Sequence, residues 1–247
     1  MKENHSEIKL VKDIKSEHIQ SFLNSKADSC SDATLKNYVS RFAKLEKQVS
    51  NTYNAKVNFS SVVAPTGRNN AAKIRDVAMS KSDFQKLESS YSSNWDNGCI
   101  GINLAYRSGL RASEVTKLQI KDINLEKKEI NIIDSKGKRS RVVPIEQKDV
   151  SYYSKLLEQL GEQNRICPIQ SESLEKSVSR HMESIGIKEK YECTGIHAIR
   201  KAYAQNCFDE FRASGNSIAA AWSQTSVLLG HGSDRVALMK TYITNIH

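Results

Sequence analysis

Residues 32–52 carry apolar side chains at the spacing of a helix. The intervals of three and four residues align these side chains in one stripe along the helix surface. Ser31 or Asp32 can cap the first turn. A shorter helix is predicted near residues 14–24. The stripe consists of Leu35, Tyr38, Phe42, Leu45 and Val49.

The helical periodicity stops in residues 54–75, where Pro65, Gly67 and several Asn and Ser residues favour a linker or a loosely structured domain end. We therefore predict two domains, a small all-α domain over residues 1–75 and a larger one over residues 76–247. A chain of 247 residues is long enough for each to bury a hydrophobic core.

The larger domain is predicted to be mostly α with a small antiparallel β-sheet. Ser80 or Ser82 can cap its first helix, and residues 98–118 read as a helix, a Ser-Gly turn and a second helix. Two β-branched runs, EINII and RVVPI, flank a Gly-centred polar turn as in a β-hairpin, and helical patterns resume after Pro144. The sequence shows neither β-α-β alternation nor a phosphate-binding glycine motif, which argues against nucleotide-driven chemistry.

The charge of the chain points to a polyanionic partner. Lys and Arg total 37 against 28 Asp and Glu, a net charge of +9, and nucleic acid is the commonest partner of such a protein. The first 75 residues hold 13 Lys and Arg against 7 Asp and Glu. Four basic residues off the apolar stripe of the helix at 32–52 either contact DNA phosphates or form a solvated helix face. They are Lys36, Arg41, Lys44 and Lys47.

Cysteine and membrane signals are weak. The five cysteines are scattered and form no C-x-x-C pair, so neither a disulfide framework nor a zinc module is expected. No stretch approaches the roughly 20 apolar residues of a membrane span, and the N-terminal residues lack the apolar core of a signal peptide. We therefore expect a soluble cytoplasmic protein without a membrane partner.

Short segments of the larger domain together carry the side chains that phosphodiester chemistry needs. Cleavage builds negative charge on the non-bridging oxygens, and guanidinium groups match that geometry with paired donors. A lysine on a hairpin turn can protonate the leaving oxygen, and a histidine can serve a nucleophilic tyrosine as base or hydrogen-bond acceptor. The candidates are Arg111, Lys136, His197, Arg200, His231 and Tyr242.

Each candidate also has an ordinary structural explanation. Arg111 can pair with Glu114 three residues later on the same helix. Lys136 and Lys138 can form the solvated tip of the hairpin. Tyr242, five residues from the end of the chain, can anchor the last turn on the core. Taken singly the residues prove little, and their joint occurrence in this order carries the signal.

In this order the motifs resemble those of the tyrosine recombinase, or phage integrase, family. They are SGLRASE, the hairpin KGKRSRVVPI, the H-x-x-R of IHAIR, LGH and a near-terminal tyrosine. The resemblance covers about residues 76–247. It is looser over residues 1–75, where the basic helix is similar to the core-binding domain of the family. His231 and Tyr242 are eleven positions apart, a longer spacing than in many relatives.

The resemblance implies how the phosphate is held. Arg111 and Arg200 would clamp it, and Glu114 would hold the first arginine in place. Lys136 would be the general acid to the 5′ hydroxyl, and Lys138, two residues further on the hairpin, is assigned to DNA binding.

The resemblance also implies how the strand is cut. Tyr242 would form a 3′-phosphotyrosyl link, His197 would assist proton transfer at the tyrosine, and His231 would hydrogen-bond the phosphoryl oxygen. No metal and no cofactor is implied, because the covalent link stores the bond energy for religation.

The function implied is that of a site-specific DNA recombinase that integrates or excises a mobile element. A Xer-like dimer resolvase or a type IB topoisomerase-like enzyme uses a similar residue set, and a non-catalytic architectural DNA-binding protein would keep the fold alone. The intact residue set argues against the last. The implied partners are double-stranded DNA with specific recombination sites, further protomers of a homo-tetramer on that DNA, and accessory DNA-bending proteins.

Overall fold

The computed structural model describes residues 8–68, 77–91, 95–133, 140–191, 195–233 and 235–246. The chain divides into two compact units, Met1–Ile74 and Arg75–His247. That division lies beside the boundary expected at residue 75. The functional roles assigned to the two domains stay predictions.

The predicted fold class, mostly α with one small antiparallel sheet, is confirmed. The helices of the described ranges are α1 (Ser16–Ser25), α2 (Asp32–Tyr53), α3 (Lys81–Ser90), α4 (Asn97–Ser108), α5 (Ala112–Val115), α6 (Val150–Leu160), α7 (Ser171–Ser184), α8 (Gly195–Ala213), α9 (Ile218–Leu228) and α10 (Met239–Tyr242). The strands β1 (Ile123–Asn124), β2 (Glu129–Ile132) and β3 (Arg141–Pro144) pair in the order β1-β2-β3. The β2–β3 hairpin was expected, whereas the two-residue β1 is too short to show an alternating pattern.

Side-chain caps begin four of the described helices, including α9, where Ser217 accepts from the N–H of Ala220. Ser31 accepts a hydrogen bond from the N–H of Thr34 at the start of α2, and Ser80 accepts one from Asp83 at the start of α3. Of the alternatives that the sequence left open, Ser31 and Ser80 are therefore the N-caps. Asp96 caps α4 in the same way.

The N-terminal unit packs α1 and α2 around a small core. Leu35 and Val49 of α2 are buried there, and Tyr38 and Phe42 pack at its edge. Leu45 is 42% exposed, so this member of the stripe lies outside the core. At 3.6 residues per turn Leu45 falls at the margin of the arc that the other four positions define, where a small core no longer reaches.

The described part of residues 54–75 forms an irregular end of the N-terminal unit. Phe59 and Val62 are buried in its core. The carboxylate of Glu46 on α2 accepts hydrogen bonds from the N–H groups of Phe59 at 2.8 Å and Ser60 at 2.7 Å. A helix side chain thus satisfies backbone donors of a segment that lacks regular structure of its own.

Helix α4 lies at the centre of the larger unit. Its residues 98–105 are buried, and it packs against both α7 and α8. A Cβ at Gly101 would lie 2.6 Å from the side chain of Leu174, so glycine lets α7 approach closely. Although α4 is nearly covered, neither it nor any other helix of the described residues is long and apolar enough to span a bilayer.

Candidate active site

The turn after α4 places the first arginine. Gly109 ends the helix with φ 59°, in the left-handed region, and a Cβ there would lie 2.3 Å from the ring of Tyr203. Glycine alone meets both demands. The chain then enters α5, where the N–H of Arg111 donates to Oε2 of Glu114 at 2.9 Å. The short α5 therefore fixes Arg111 and Glu114 relative to each other.

Glu114 is a carboxylate that two arginines bind and a third approaches. It is 5% exposed, and its carboxylate accepts from Nη1 of Arg111 at 2.7 Å and from both Nη atoms of Arg141 at 2.7 and 2.9 Å. Nη1 of Arg200 lies 3.8 Å from the same carboxylate. The pair expected between Arg111 and Glu114 is thus one part of a larger buried network.

Arg141 is a site residue that the sequence analysis missed. It opens β3, and besides binding Glu114 its Nε donates to the carbonyl of Leu228, at the end of α9, at 2.8 Å. A Cβ on Gly230 would lie 3.0 Å from its Nη1. The available signal was Arg141 itself, a charged residue at the start of the β-branched run RVVPI. Its partners lie 27 and 87 residues away, beyond what a local pattern reveals.

Arg200 projects from α8 and is 1% exposed. Its Nη2 donates to the carbonyl of Leu229 at 2.6 Å, and its Nη1 donates to the carbonyl of Gly109. Burial, followed by the charge of Arg111, lowers the pKa of Arg200 to about 10, which still leaves it cationic at neutral pH. The guanidinium lies 5.8 Å from the ring centroid of Tyr242. Arg200 therefore joins three segments of the site.

A Schellman turn at the end of α9 places His231. Gly230, with φ 73°, donates its N–H to the carbonyl of Val227 at 2.8 Å, and the N–H of His231 donates to that of Ser226 at 2.9 Å. Ser226 Oγ also donates to the carbonyl of Gly232 at 2.6 Å. The LGH motif is therefore a helix end, and its hydrogen bonds fix the backbone that carries His231.

His231 is the neutral acceptor beside the tyrosine. Its Nε2 lies 3.0 Å from the hydroxyl of Tyr242 and 3.5 Å from Nη2 of Arg111. Burial, followed by the charges of Arg111 and then Arg200, lowers the pKa of His231 to about 4. The imidazole is therefore neutral at pH 7, and because arginine can only donate, Nε2 carries the lone pair. The hydroxyl of Tyr242 therefore donates a hydrogen bond to Nε2 of His231.

Tyr242 returns to the site through a compact turn. After His231 the chain forms a 3-10 turn at Val236–Leu238 and the single helical turn α10, and Tyr242 ends 4% exposed. The ring of His197, on α8, meets it edge-on with centroids 5.6 Å apart. The hydroxyl contact is thus made by His231 in this structure, and the proton-transfer role assigned to His197 stays a prediction.

The structure brings six predicted site residues together and leaves others apart. A cleft of about 370 Å³ is lined by Arg111, His197 and Arg200. Lys136 and Lys138 lie outside the described residues. On α2 the four basic candidates are exposed, and their assignment to DNA stays a prediction: they are Lys36, Arg41, Lys44 and Lys47. The assembled residues are Arg111, Glu114, His197, Arg200, His231 and Tyr242.

Among the described residues, one group of side chains has the ligand types of a metal site. Ligand atoms of Asp96, Cys99 and His181 lie within 4.8 Å of one another at the start of α4. Nε2 of His181 is the atom that faces both Asp96, at 3.0 Å, and Cys99, at 3.5 Å. Burial and the charge of Asp96 raise the pKa of the Cys99 thiol. We interpret the group as a hydrogen-bonded cap that joins α7 to α4. It lies about 18 Å along α4 from the turn at Gly109.

Comparison with known proteins establishes the family. The chain belongs to the phage integrase family, whose sequence model matches residues 77–210. This confirms the resemblance seen in the motifs. His231 and Tyr242 lie beyond the matched residues, so their support comes from the geometry of the site and from the order of the motifs.

A curated relative shows how similar the chain is in sequence to a known recombinase. Tyrosine recombinase XerS of Streptococcus pyogenes serotype M5 (strain Manfredo) is 28% identical over 182 residues, covering 65% of this chain and 46% of that protein. The chain thus spans about half the length of the curated relatives it matches.

Two DNA complexes share the fold. The XerH site-specific recombinase bound to difH substrate has a TM-score of 0.64 at 20% identity, covering 94% of this chain and 68% of that one. A lambda integrase dimer bound to a COC′ core site has a TM-score of 0.64 at 16% identity, covering 94% and 81%.

Proposed function

We propose that this chain is a tyrosine-type site-specific DNA recombinase that cuts and rejoins duplex DNA through Tyr242. The observation that carries the proposal is the hydroxyl of Tyr242 at 3.0 Å from the neutral Nε2 of His231, beside the guanidinium groups of Arg111 and Arg200. A nucleophile, a base and cationic groups for a phosphate are thereby in one place.

In the proposed reaction the oxygen of Tyr242 attacks the scissile phosphorus. The new bond is a 3′-phosphotyrosyl ester, and the bond to the 5′ oxygen breaks. His197, whose ring lies edge-on to Tyr242, assists transfer of the tyrosine proton, His231 accepts the hydrogen bond of the hydroxyl through Nε2, and Lys136 supplies a proton to the leaving oxygen. Religation runs the same steps in reverse, so neither a metal nor a cofactor is required.

The arginine network supplies the electrostatic part of the proposal. Three guanidinium groups surround the single carboxylate of Glu114, so the site keeps a positive excess that favours a phosphate. Both residues line the cleft, but both Nη atoms of Arg200 donate to backbone carbonyls and its side chain is 1% exposed, whereas the side chain of Arg111 is 19% exposed. We therefore assign direct phosphate contact chiefly to Arg111. Arg200 would contribute positive charge to the site while its Nη atoms bind the backbone.

The position of Tyr242 supports cleavage by each protomer in its own site. The hydroxyl contacts a histidine of the same chain, and the ring lies against Arg200 of the same chain. Delivery to a neighbouring protomer would first have to break these contacts.

DNA and further protomers are the partners we propose. The net charge of +9 and the exposed basic face of α2 support a DNA partner. Structures with this fold include a lambda integrase tetramer bound to a Holliday junction. We propose a homo-tetramer on specific recombination sites of a mobile element, with accessory DNA-bending proteins and a cytoplasmic, DNA-associated location.

A suicide substrate tests the reaction. A duplex carrying inverted repeats from beside the coding region, nicked near the cleavage position, should trap a covalent protein–DNA adduct with the native chain and none with Tyr242→Phe. Equal retention of DNA by both proteins with no adduct from either would favour an architectural DNA-binding protein instead.

A dimer resolvase is the second candidate, because Xer proteins are among the relatives and structures matched. Plasmids carrying either the repeats beside the coding region or a chromosomal site of the host separate the two roles. Recombination at the chromosomal site alone would favour the resolvase.

A further inference from the structure

We propose that Gln205 is a positioning residue, which holds the segment after Tyr242 on α8 and thereby keeps the nucleophile in its own site. The inference rests on the proposed function of Tyr242 and adds a residue that neither the motifs nor the reaction chemistry identifies. Gln205 does not touch the reacting atoms, so its effect is indirect.

Gln205 makes four hydrogen bonds to the segment that follows Tyr242, residues 243–246, which we call the tail. Its Oε1 accepts from the N–H of Thr244 at 2.9 Å, from the hydroxyl of Thr244 at 3.3 Å and from the N–H of Asn245 at 3.1 Å. Its Nε2 donates to the carbonyl of Asn245 at 2.9 Å. One side chain therefore supplies both an acceptor and a donor to two consecutive residues, as a neighbouring strand would.

We call the four hydrogen bonds of Gln205 to Thr244 and Asn245 the clasp. Apolar burial links Tyr242 to it. Ile243 is buried in the same small core as Tyr242, a core to which Phe208 of α8 and Trp222 of α9 contribute. Residues 242–245 are thus held continuously, first by packing and then by hydrogen bonds. The hydroxyl contact with His231 lies at one end of this held stretch, and Gln205 lies at the other.

Helix α8 carries both the clasp and the catalytic neighbours of the tyrosine. Gln205 follows Arg200 by five residues, about 7.5 Å along the helix axis, and His197 lies one turn before Arg200. Because one helix carries all three residues, Gln205 fixes the position of the tail relative to His197 and Arg200. In-line attack tolerates little misplacement, since a shift of about 1 Å can cost about 100-fold in rate.

Two measurements test the clasp, and one needs no DNA. Lys240 is exposed and precedes Tyr242, so tryptic cleavage after Lys240 reports how often the tail leaves α8. Gln205→Leu removes the donor and the acceptor while keeping a helix-forming side chain. We expect faster release of the peptide that begins at Thr241, and adduct formation about tenfold slower or more at saturating DNA, with unchanged DNA affinity.

Matched variants separate positioning from folding. Nε2 of Gln205 also donates to Oδ1 of Asp209 at 2.8 Å, so the variants at position 205 are compared in an Asp209→Asn background, which removes that carboxylate. There Gln205→Glu keeps the oxygen that accepts three of the four bonds and loses the donor, so its cleavage and adduct rates should lie between those of Gln205→Leu and of unchanged Gln205. Gln224→Leu alters an exposed glutamine of α9 that binds Asn216 at 3.0 Å, away from the tail. It should behave as the native chain does.

The outcomes are distinct. A native tryptic rate and a native adduct rate in Gln205→Leu would overturn the clasp, as would an equal loss in Gln224→Leu or no difference between the Leu and Glu variants at position 205. Absence of an adduct from the native chain would instead refute the proposed function, while the tryptic comparison would still decide whether Gln205 holds the tail.

Discussion

The two units of the chain place positive charge in opposite environments. On α2 the basic side chains are exposed, opposite the apolar stripe that faces the core of the N-terminal unit. In the larger unit Arg141 and Arg200 are almost fully buried and share the carboxylate of Glu114 with Arg111. Exposed charges attract a polyanion at little cost to stability, whereas buried ones must be paired and in return have fixed geometry. Substitutions should therefore have different consequences in the two units.

The largest effect on stability is expected from Glu114. Its replacement in Glu114→Gln leaves three guanidinium groups without their shared anion, and loss of one partner of a buried ion pair costs about 3–5 kcal/mol. Urea unfolding measures the change. Glu175→Gln is the control, because Glu175 is an exposed carboxylate at the same cleft, and a surface change stays within about 0.5 kcal/mol. Similar midpoints for both variants would show that the network does not stabilise the fold.

Gly109→Ala is expected to be the next most destabilising change. A left-handed φ costs a non-glycine residue about 1–2 kcal/mol, and the close approach to Tyr203 adds an overpacking cost of about 1–3 kcal/mol. Gly186→Ala provides the matched comparison, because Gly186 has φ 72° in the Schellman turn that ends α7 and a Cβ there would meet nothing within 4 Å. Thermal unfolding should separate the two variants. Equal losses of stability would mean that Tyr203 yields without cost.

The pH dependence of stability should reveal the lowered pKa of the partly buried His231. The pKa of His231 in the folded chain, about 4, lies below its ordinary value of 6.5. As the pH falls from 6.5 to 4, the unfolded chain binds a proton that folded His231 does not, so this contribution to stability is lost. The melting temperature of His231→Gln should fall less steeply over this window than that of the native chain. Parallel curves would contradict the neutral imidazole.

The smallest effect on stability is expected on α2. Replacing Lys36, Lys44 and Lys47 together by Gln should leave unfolding within about 0.5 kcal/mol of the native chain, because these side chains are exposed. DNA binding should weaken, and the slope of log affinity against log salt should become shallower by about 0.9 for each phosphate that the helix no longer neutralises. Ser40→Ala changes the same helix without altering charge and should keep the native slope. An unchanged slope in the triple variant would mean that this face is only solvated.

Local pattern predicted most of the helices, the hairpin and the residues of the site. It included Leu45 in the apolar stripe of α2 but could not show that this residue is exposed, because spacing alone does not report how far a core extends. It missed Arg141 because the partners of that residue come from distant segments. It did not show that His231 contacts the hydroxyl of Tyr242, since the path of the chain between these two residues depends on tertiary packing. Gln205 had no signal at all, because its role lies in hydrogen bonds to backbone groups about 40 residues away.

The identity and polarity of the covalent bond test the central claim most directly. Digestion of the trapped adduct followed by mass spectrometry should find the nucleotide on the peptide that contains Tyr242, joined through a 3′ phosphate, and the released strand should carry a free 5′ hydroxyl. A nucleotide on any other residue, or a link through a 5′ phosphate, would contradict the account.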